Sequence, residues 1–339
     1  MPRNKVRFGI VGCGVISPLH AKGIAACSDA ELVAVADVDP ERRQAFAAEY
    51  GAARTFADYE EMMREAEIDA VSICVPSGMH ADVTLAAAKY GKHVLCEKPL
   101  DIRPDRMTEM ISACRAADVR LGAVYQRRVS PVAIALKRAL EAGAFGRLVL
   151  CDAYLKYHRS QAYYDSAGWR GTWAVDGGGA LMNQGVHGVD MVQWLGDGIR
   201  RVFGRTAALV RNIEVEDTAV AVVEYMNGAF GVIEGATSVY PERPSHFEIH
   251  GERGTVVFDD NGVIEWTFAD DAAQGLKPES GAAAANGHQL FVADMVEAIL
   301  DHRDPLVSGE EARKAVDIIL AIYESQRTGR EIVLGSAGA

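Results

Sequence analysis

Five short apolar runs separated by amphipathic stretches fill the first third of this chain, and a glycine-rich turn follows the first of them. Residues 6–11, 32–36, 70–75, 93–96 and 121–124 are rich in β-branched and small apolar side chains and predict strands. Residues 17–26, 40–50, 59–66, 80–90 and 104–117 predict the helices between them. Strands that alternate with helices pair in parallel, because each crossover returns the chain to the same end of the sheet. The expected class is therefore α/β, a doubly wound parallel sheet.

After about residue 123 the pattern changes. One helix, 131–142, precedes strand-like runs at 202–209, 217–225, 229–237, 245–251 and 254–259, separated by turn pairs such as Asn227-Gly228 and Arg253-Gly254. Strands without crossovers predict a mostly antiparallel sheet in an α+β domain. Residues 269–286, rich in Ala, Gly and Asp, predict a surface loop, and helices close the chain at 288–301 and 309–326. The division expected is a doubly wound domain over 1–123 and an α+β domain over 124–339.

The chain has 339 residues, enough for two domains that each bury a core. A formal net charge of -12 argues against nucleic-acid or anionic-membrane partners, both of which need a basic surface. No run approaches the about 18 apolar residues of a membrane span. The basic start is followed only by a short apolar run broken by Gly9, Gly12 and Gly14, so no secretory leader is expected. Six scattered cysteines without Cys-x-x-Cys spacing predict reduced, buried thiols in a cytoplasmic protein.

Gly12-Cys13-Gly14-Val15-Ile16-Ser17 follows a predicted strand and opens a predicted helix. Glycines there allow a tight turn and the approach of a pyrophosphate to the helix N-terminus, the Rossmann arrangement. Gly12, Gly14, Val15 and Ile16 are thus cofactor candidates, and Asp37, at the end of the next strand, is placed to bind an adenosine ribose. A carboxylate there repels a 2′-phosphate, which favours NAD over NADP, with Arg42 and Arg43 the only nearby counter-charges.

Further along stand Val75-Pro76-Ser77 with His80, Glu97-Lys98-Pro99 after an apolar strand, Tyr125-Gln126-Arg127-Arg128, and Gly177-Gly178-Gly179 followed by Asn183, His187 and Asp190. In order and spacing this set resembles the Gfo/Idh/MocA family of oxidoreductases over nearly the whole chain. The resemblance implies an N-terminal Rossmann domain, a C-terminal domain with an open-faced sheet, and action on sugars, sugar nucleotides or inositols. It assigns Lys98 to the reacting hydroxyl and the nicotinamide, His187 to proton acceptance, and Pro76, His80 and Glu97 to the cofactor side. It also implies a cis bond at Lys98-Pro99. Many members carry Asp where this chain has Asn183; an amide can hold a hydroxyl but cannot take its proton, so base duty falls on His187. A helix over 181–195 would put Asn183 and His187 one turn apart, with Asp190 near enough to orient the ring.

Arg159, Gln161, Tyr163, Tyr164, Trp169, Arg170 and Trp173 precede the triple glycine. Aromatic rings stack on sugar C–H faces and Arg binds hydroxyls or phosphate, so Arg159, Tyr163 and Trp169 are substrate candidates, an aromatic subunit contact being the alternative. Tyr125 and Arg127 are candidates beside the nicotinamide or substrate, with domain packing as the alternative. His246 and His250, four apart in a strand, stand roughly 13 Å from each other, too far to share a metal, and no metal site is expected.

The function expected is NAD-dependent oxidation of a secondary hydroxyl of a small sugar-like or cyclitol substrate. Alternatives are a nucleotide-sugar 3-dehydrogenase, an NAD-dependent glycosidase that is redox-neutral overall, and a non-catalytic NAD-binding regulator. A homodimer or homotetramer is expected from the exposed face of the second sheet.

Overall fold

The computed structural model describes residues 5–278 and 286–335. They divide into two compact units, one reaching Tyr125 and including Asn286–Arg313, the other comprising residues 126–278 and 314–335.

In the first unit, β1 (Val6–Val11), β2 (Ala30–Ala36), β3 (Arg54–Phe56), β4 (Ala70–Ile73), β5 (His93–Cys96) and β6 (Leu121–Ala123) form one parallel sheet in the order β3-β2-β1-β4-β5-β6. Helices α1 (Ser17–Ala26), α2 (Pro40–Tyr50), α3 (Tyr59–Glu65), α4 (His80–Lys89) and α5 (Pro104–Ala116) make the crossovers. Strand order reverses between β1 and β4, and a ligand crevice belongs at the carboxyl ends of strands at such a point. Strand interiors are buried on both faces: Phe8, Ile10, Val35, Val71, Ile73 and Val94 have no exposed surface. Polar punctuation sets the helix ends. Asp39 caps α2 by accepting from the Glu41 and Arg42 N–H groups, and Gly51 closes it at φ +77°.

The second unit begins with α6 (Pro131–Glu141), capped by Ser130. Then come β7 (Leu148–Lys156), the short α7 (Gln161–Asp165), α8 (Val186–Leu195), and β8 (Ile199–Ala207) through β9 (Thr218–Tyr225), β10 (Phe230–Ala236), β11 (His246–Gly251), β12 (Gly254–Asp259) and β13 (Gly262–Phe268). Helix α9 (Gly287–Leu300) belongs to the first unit, where it packs on α1 with Val292 against Gly23, and α10 (Gly309–Thr328) precedes β14 (Ile332–Val333). The eight strands run β13-β12-β11-β7-β10-β9-β8-β14, antiparallel except for the β7–β10 pair. Along β9 burial alternates residue by residue, so one sheet face is covered while Val220 and Val222 stand on the other with Phe203, Phe230 and Leu150, all exposed.

Two differences from the sequence reading have physical causes. β7 lies mid-sheet yet lacks a clean apolar pattern, because Asp152 interrupts it. That carboxylate is buried and accepts the Val232 N–H at 2.6 Å, replacing a ladder bond with a side-chain bond. β3 is three residues long and begins with Arg54 and Thr55, too short to show a period. The stretch 269–286 carries a 3-10 turn at Asp271–Leu276, with the Trp266 indole N–H donating to the Ala273 carbonyl; its residues 279–285 lie outside the described residues. Among the described residues no helix is long and apolar enough to cross a membrane.

Candidate functional site

In the first unit, the chain leaves β1 through Gly12 at φ +91°, where a Cβ would lie 2.7 Å from the Cys74 carbonyl oxygen. Only glycine permits that approach. Space beside Gly14 is open, and α1 starts with neither a side-chain cap nor an acidic residue in its first turn, so its N–H groups suit an anion. The hydroxyl of Ser17, where a third glycine is usual, donates to the Gly14 carbonyl at 2.7 Å and pins the loop. Asp37 accepts from the Cys13 N–H at 2.8 Å and the Asp39 N–H at 2.9 Å, which fixes its carboxylate beside the loop. Val15 and Val38 are 94% and 87% exposed, which leaves apolar surface open to a flat ligand. This set fits a dinucleotide. Arg43 donates to the carbonyls of Asp37 and Val38, and Arg42 lies 3.7 Å from Asp39, so both arginines are engaged locally.

Beyond β4, Val75 and Pro76 lead through a 3-10 turn into α4. The buried His80 ring sits between two carbonyls, with Nδ1 2.7 Å from Pro99 O and Nε2 2.9 Å from Val75 O. Burial pushes its pKa down, against the pull of both carbonyls and of Asp101 and Glu97. The Lys98-Pro99 bond is cis. Lys98 therefore stands in a turn held by His80 through Pro99 on one side and by Glu97 on the other, whose Oε2 accepts the Lys98 N–H at 3.3 Å.

In the second unit, the triple glycine opens an irregular turn. A Cβ on Gly178 would fall 2.1 Å from the Tyr323 hydroxyl, and one on Gly179 2.1 Å from the Glu216 carbonyl. The following residues, Ala180–Gly185, form one turn of π-helix before α8, with the Gln184 N–H reaching back to Gly179 O. Such turns recur at functional sites because they re-aim side chains. Glu216 holds this one in place: its buried carboxylate accepts the Gly179 and Leu181 N–H groups at 3.0 and 2.8 Å and the Tyr323 hydroxyl at 2.8 Å. Burial raises its pKa despite those bonds.

Asn183 projects from the π-turn, donating from Nδ2 to Asp176 and accepting at Oδ1 from Gln184. Gln184 also donates to the Tyr163 hydroxyl at 3.2 Å and accepts from Arg159 at 3.1 Å. The Arg170 guanidinium lies 4.2 Å from the Tyr163 ring centre and 4.8 Å from that of Trp169. Arg159, Tyr163, Trp169 and Asn183 thus belong to one polar and aromatic cluster. Asp176 and Gln184 are members that sequence reasoning passed over; Asp176 directly precedes the triple glycine, the one signal that could have found it.

His187 stands buried in the first turn of α8. Both oxygens of Asp190 accept from the buried Arg128 fork, at 2.8 and 2.6 Å, which anchors α8 to the 3-10 turn Gln126–Val129. Arg127 pairs with Asp260 and donates to Ser245 Oγ at 2.9 Å. Tyr125 is fully buried in the first unit, its hydroxyl donating to Ala312 O at 3.2 Å. His246 and His250 flank Glu248, each ring hydrogen-bonded to it, at 3.0 and 3.2 Å. One grouping was invisible in the sequence: His20, Glu97 and His288, brought together from α1, the end of β5 and the start of α9.

Residues 6–125 match the family model described as an oxidoreductase family with NAD-binding Rossmann fold, and residues 133–257 match the GFO/IDH/MocA C-terminal domain. The WlbA dehydrogenase from Bordetella pertussis, solved in complex with NADH and UDP-GlcNAcA, is 37% identical with a TM-score of 0.92, over 98% of this chain and 99% of that one. The myo-inositol 2-dehydrogenase of Thermotoga maritima is 27% identical over 346 residues, 97% of this chain and 98% of that protein. The D-xylose 1-dehydrogenase (NADP(+)) 2 of Haloferax volcanii is 28% identical over 337 residues, covering 96% and 99%.

Proposed function

The chain belongs to the GFO/IDH/MocA family of oxidoreductases, dehydrogenating a sugar-like CH–OH group with a nicotinamide dinucleotide, and we propose that its substrate is a nucleotide-linked sugar acid. The observation that carries this reading is the 37% identity, over almost the full length, to an enzyme that holds UDP-GlcNAcA. Two features of this chain agree with it. Asn183 stands where many members have Asp, and an uncharged amide spares an anionic substrate one repulsion. Arg159 and Arg170 bracket Tyr163, which offers cations beside an aromatic face.

In the proposed mechanism the imidazole of His187 takes the hydroxyl proton. The Lys98 ammonium donates to the same oxygen and stabilises the alkoxide-like charge that grows as hydride leaves carbon. Asn183, oriented by Asp176 and Gln184, holds a neighbouring substrate group. The dinucleotide, when bound, supplies the hydride acceptor. NAD rather than NADP is the cofactor we favour, because Asp37 faces the loop while Arg42 and Arg43 are already engaged. The exposed apolar residues on the open sheet face support a homodimer or homotetramer. The six free cysteines, five of them buried, support a reducing, cytoplasmic setting.

The test is initial-rate assay of NADH formation with UDP-GlcNAcA, other UDP-sugars, free sugars and inositols, each with NAD and NADP. The reading requires UDP-GlcNAcA to give the highest kcat/KM. A free cyclitol at the top would replace it with the inositol reading that the Thermotoga relative favours. Product formation without net NADH would point to glycoside cleavage.

A further inference from the structure

Glu97 directly follows β5, one residue before Lys98, and its carboxylate is almost wholly buried. Oε1 accepts from His20 Nε2 at 2.9 Å and from His288 Nε2 at 3.0 Å, while Oε2 accepts the Lys98 N–H at 3.3 Å. The Nδ1 of His20 lies 3.0 Å from Ser72 Oγ, and the two imidazoles meet edge to face at 5.2 Å between centres. With Glu97 ionised, both Nε2–H groups donate to it, and His20 Nδ1 and Ser72 Oγ share the remaining hydrogen bond. Burial opposes the ionised carboxylate, but the bonds and charges of His20 and His288 hold its pKa well below the ordinary range. A lone buried carboxylate would be costly, so the two imidazoles are what keep it in place.

We infer that His288, together with His20, is a positioning residue for Lys98: it clamps Glu97, and Glu97 fixes the backbone from which the lysine projects. This rests on the role proposed above for Lys98. The reasoning is geometric. His20 comes from α1, the helix that begins at the cofactor loop; His288 comes from the first turn of α9, 191 positions from Glu97. Glu97 therefore joins the cofactor loop's helix, the lysine turn and the returning C-terminal helix at one pair of oxygens. His20 is held further by Ser72, and the two rings touch each other. A catalytic group whose supporting side chains shift by about 1 Å loses up to a hundredfold in rate, so this clamp bears on turnover without touching substrate.

The test compares His288→Ala, His288→Gln and Lys98→Ala in the full chain. Glutamine places an amide N–H where the imidazole Nε2–H was. Readouts are kcat and KM on the best substrate of the panel, NADH affinity by fluorescence, thermal unfolding, and amide exchange of the peptide containing Lys98. His288→Ala is expected to lower kcat about ten- to a hundredfold with KM and NADH affinity within about threefold, and to speed exchange at Lys98. His288→Gln is expected to recover most of both. If Lys98→Ala abolishes turnover while His288→Ala leaves kcat and Lys98 exchange at parental values, the clamp is wrong and the lysine role stands. If Lys98→Ala turns over normally, both fall. Loss in His288→Ala that merely tracks unfolding or lost NADH binding, with no rescue by glutamine, also overturns the inference. So does a divalent metal that co-purifies with the parent and is absent from His288→Ala.

Discussion

The Asn183 side chain donates its amide proton to Asp176, so a carboxylate stands directly behind that amide. Asp176 is itself held by the Gly171 N–H at 2.8 Å and is 2% exposed. The amide thus has one orientation, N–H toward Asp176 and oxygen toward Gln184.

Asn183→Asp would set two carboxylates against each other, and at that separation only one ionises. The expected result is a fall in kcat/KM of about tenfold at neutral pH, with recovery as pH drops and the pair takes up a proton that restores the hydrogen bond. A pH–rate profile parallel to the parent's would show that the amide is not needed.

Gly178→Ala is expected to destabilise the second unit by about 1–3 kcal/mol, because the new methyl meets the Tyr323 hydroxyl and Met182 Cβ on a backbone at φ +155°. Tyr323→Phe removes that oxygen and also its bond to Glu216, costing about 1 kcal/mol alone. Combined, the two changes should cost less than their sum, a coupling readable by urea unfolding of the four variants.

Asp37→Ser is predicted to weaken use of NAD and to narrow the ratio of NAD to NADP kcat/KM by about tenfold or more, since the role proposed for the carboxylate is to bind a ribose and repel a 2′-phosphate. An unchanged ratio would place the discrimination elsewhere.

Acid should act on Glu97. Because its folded pKa lies well below 4.5, this carboxylate contributes stability that is fully present above its unfolded value and is lost as pH falls through the folded one. Glu97→Gln should therefore lower stability near about pH 6, where the charged clamp is lost, and flatten the decline below about pH 4.5. Denaturant midpoints at several pH values would decide it; parallel curves for parent and variant would not fit.

The local signals in this chain were strong enough to specify much by themselves. Alternating runs, Pro and Asp at helix starts, and glycines after β1 encode the parallel sheet and the dinucleotide loop, because each depends on neighbours a few residues away. The motif at 97–99 and the triple glycine likewise mark the turns around which the proposed site is built. What tertiary structure decided depends on contacts between distant positions. β7 was hidden because Asp152 is satisfied by Val232, eighty residues on. The orientation of Asn183 came from Asp176 across a π-turn that no helical periodicity encodes. His288 joined Glu97 only because α9 returns to pack on α1. A buried polar group must find its partner wherever the fold supplies one, and a linear pattern of hydrophobicity does not carry that address.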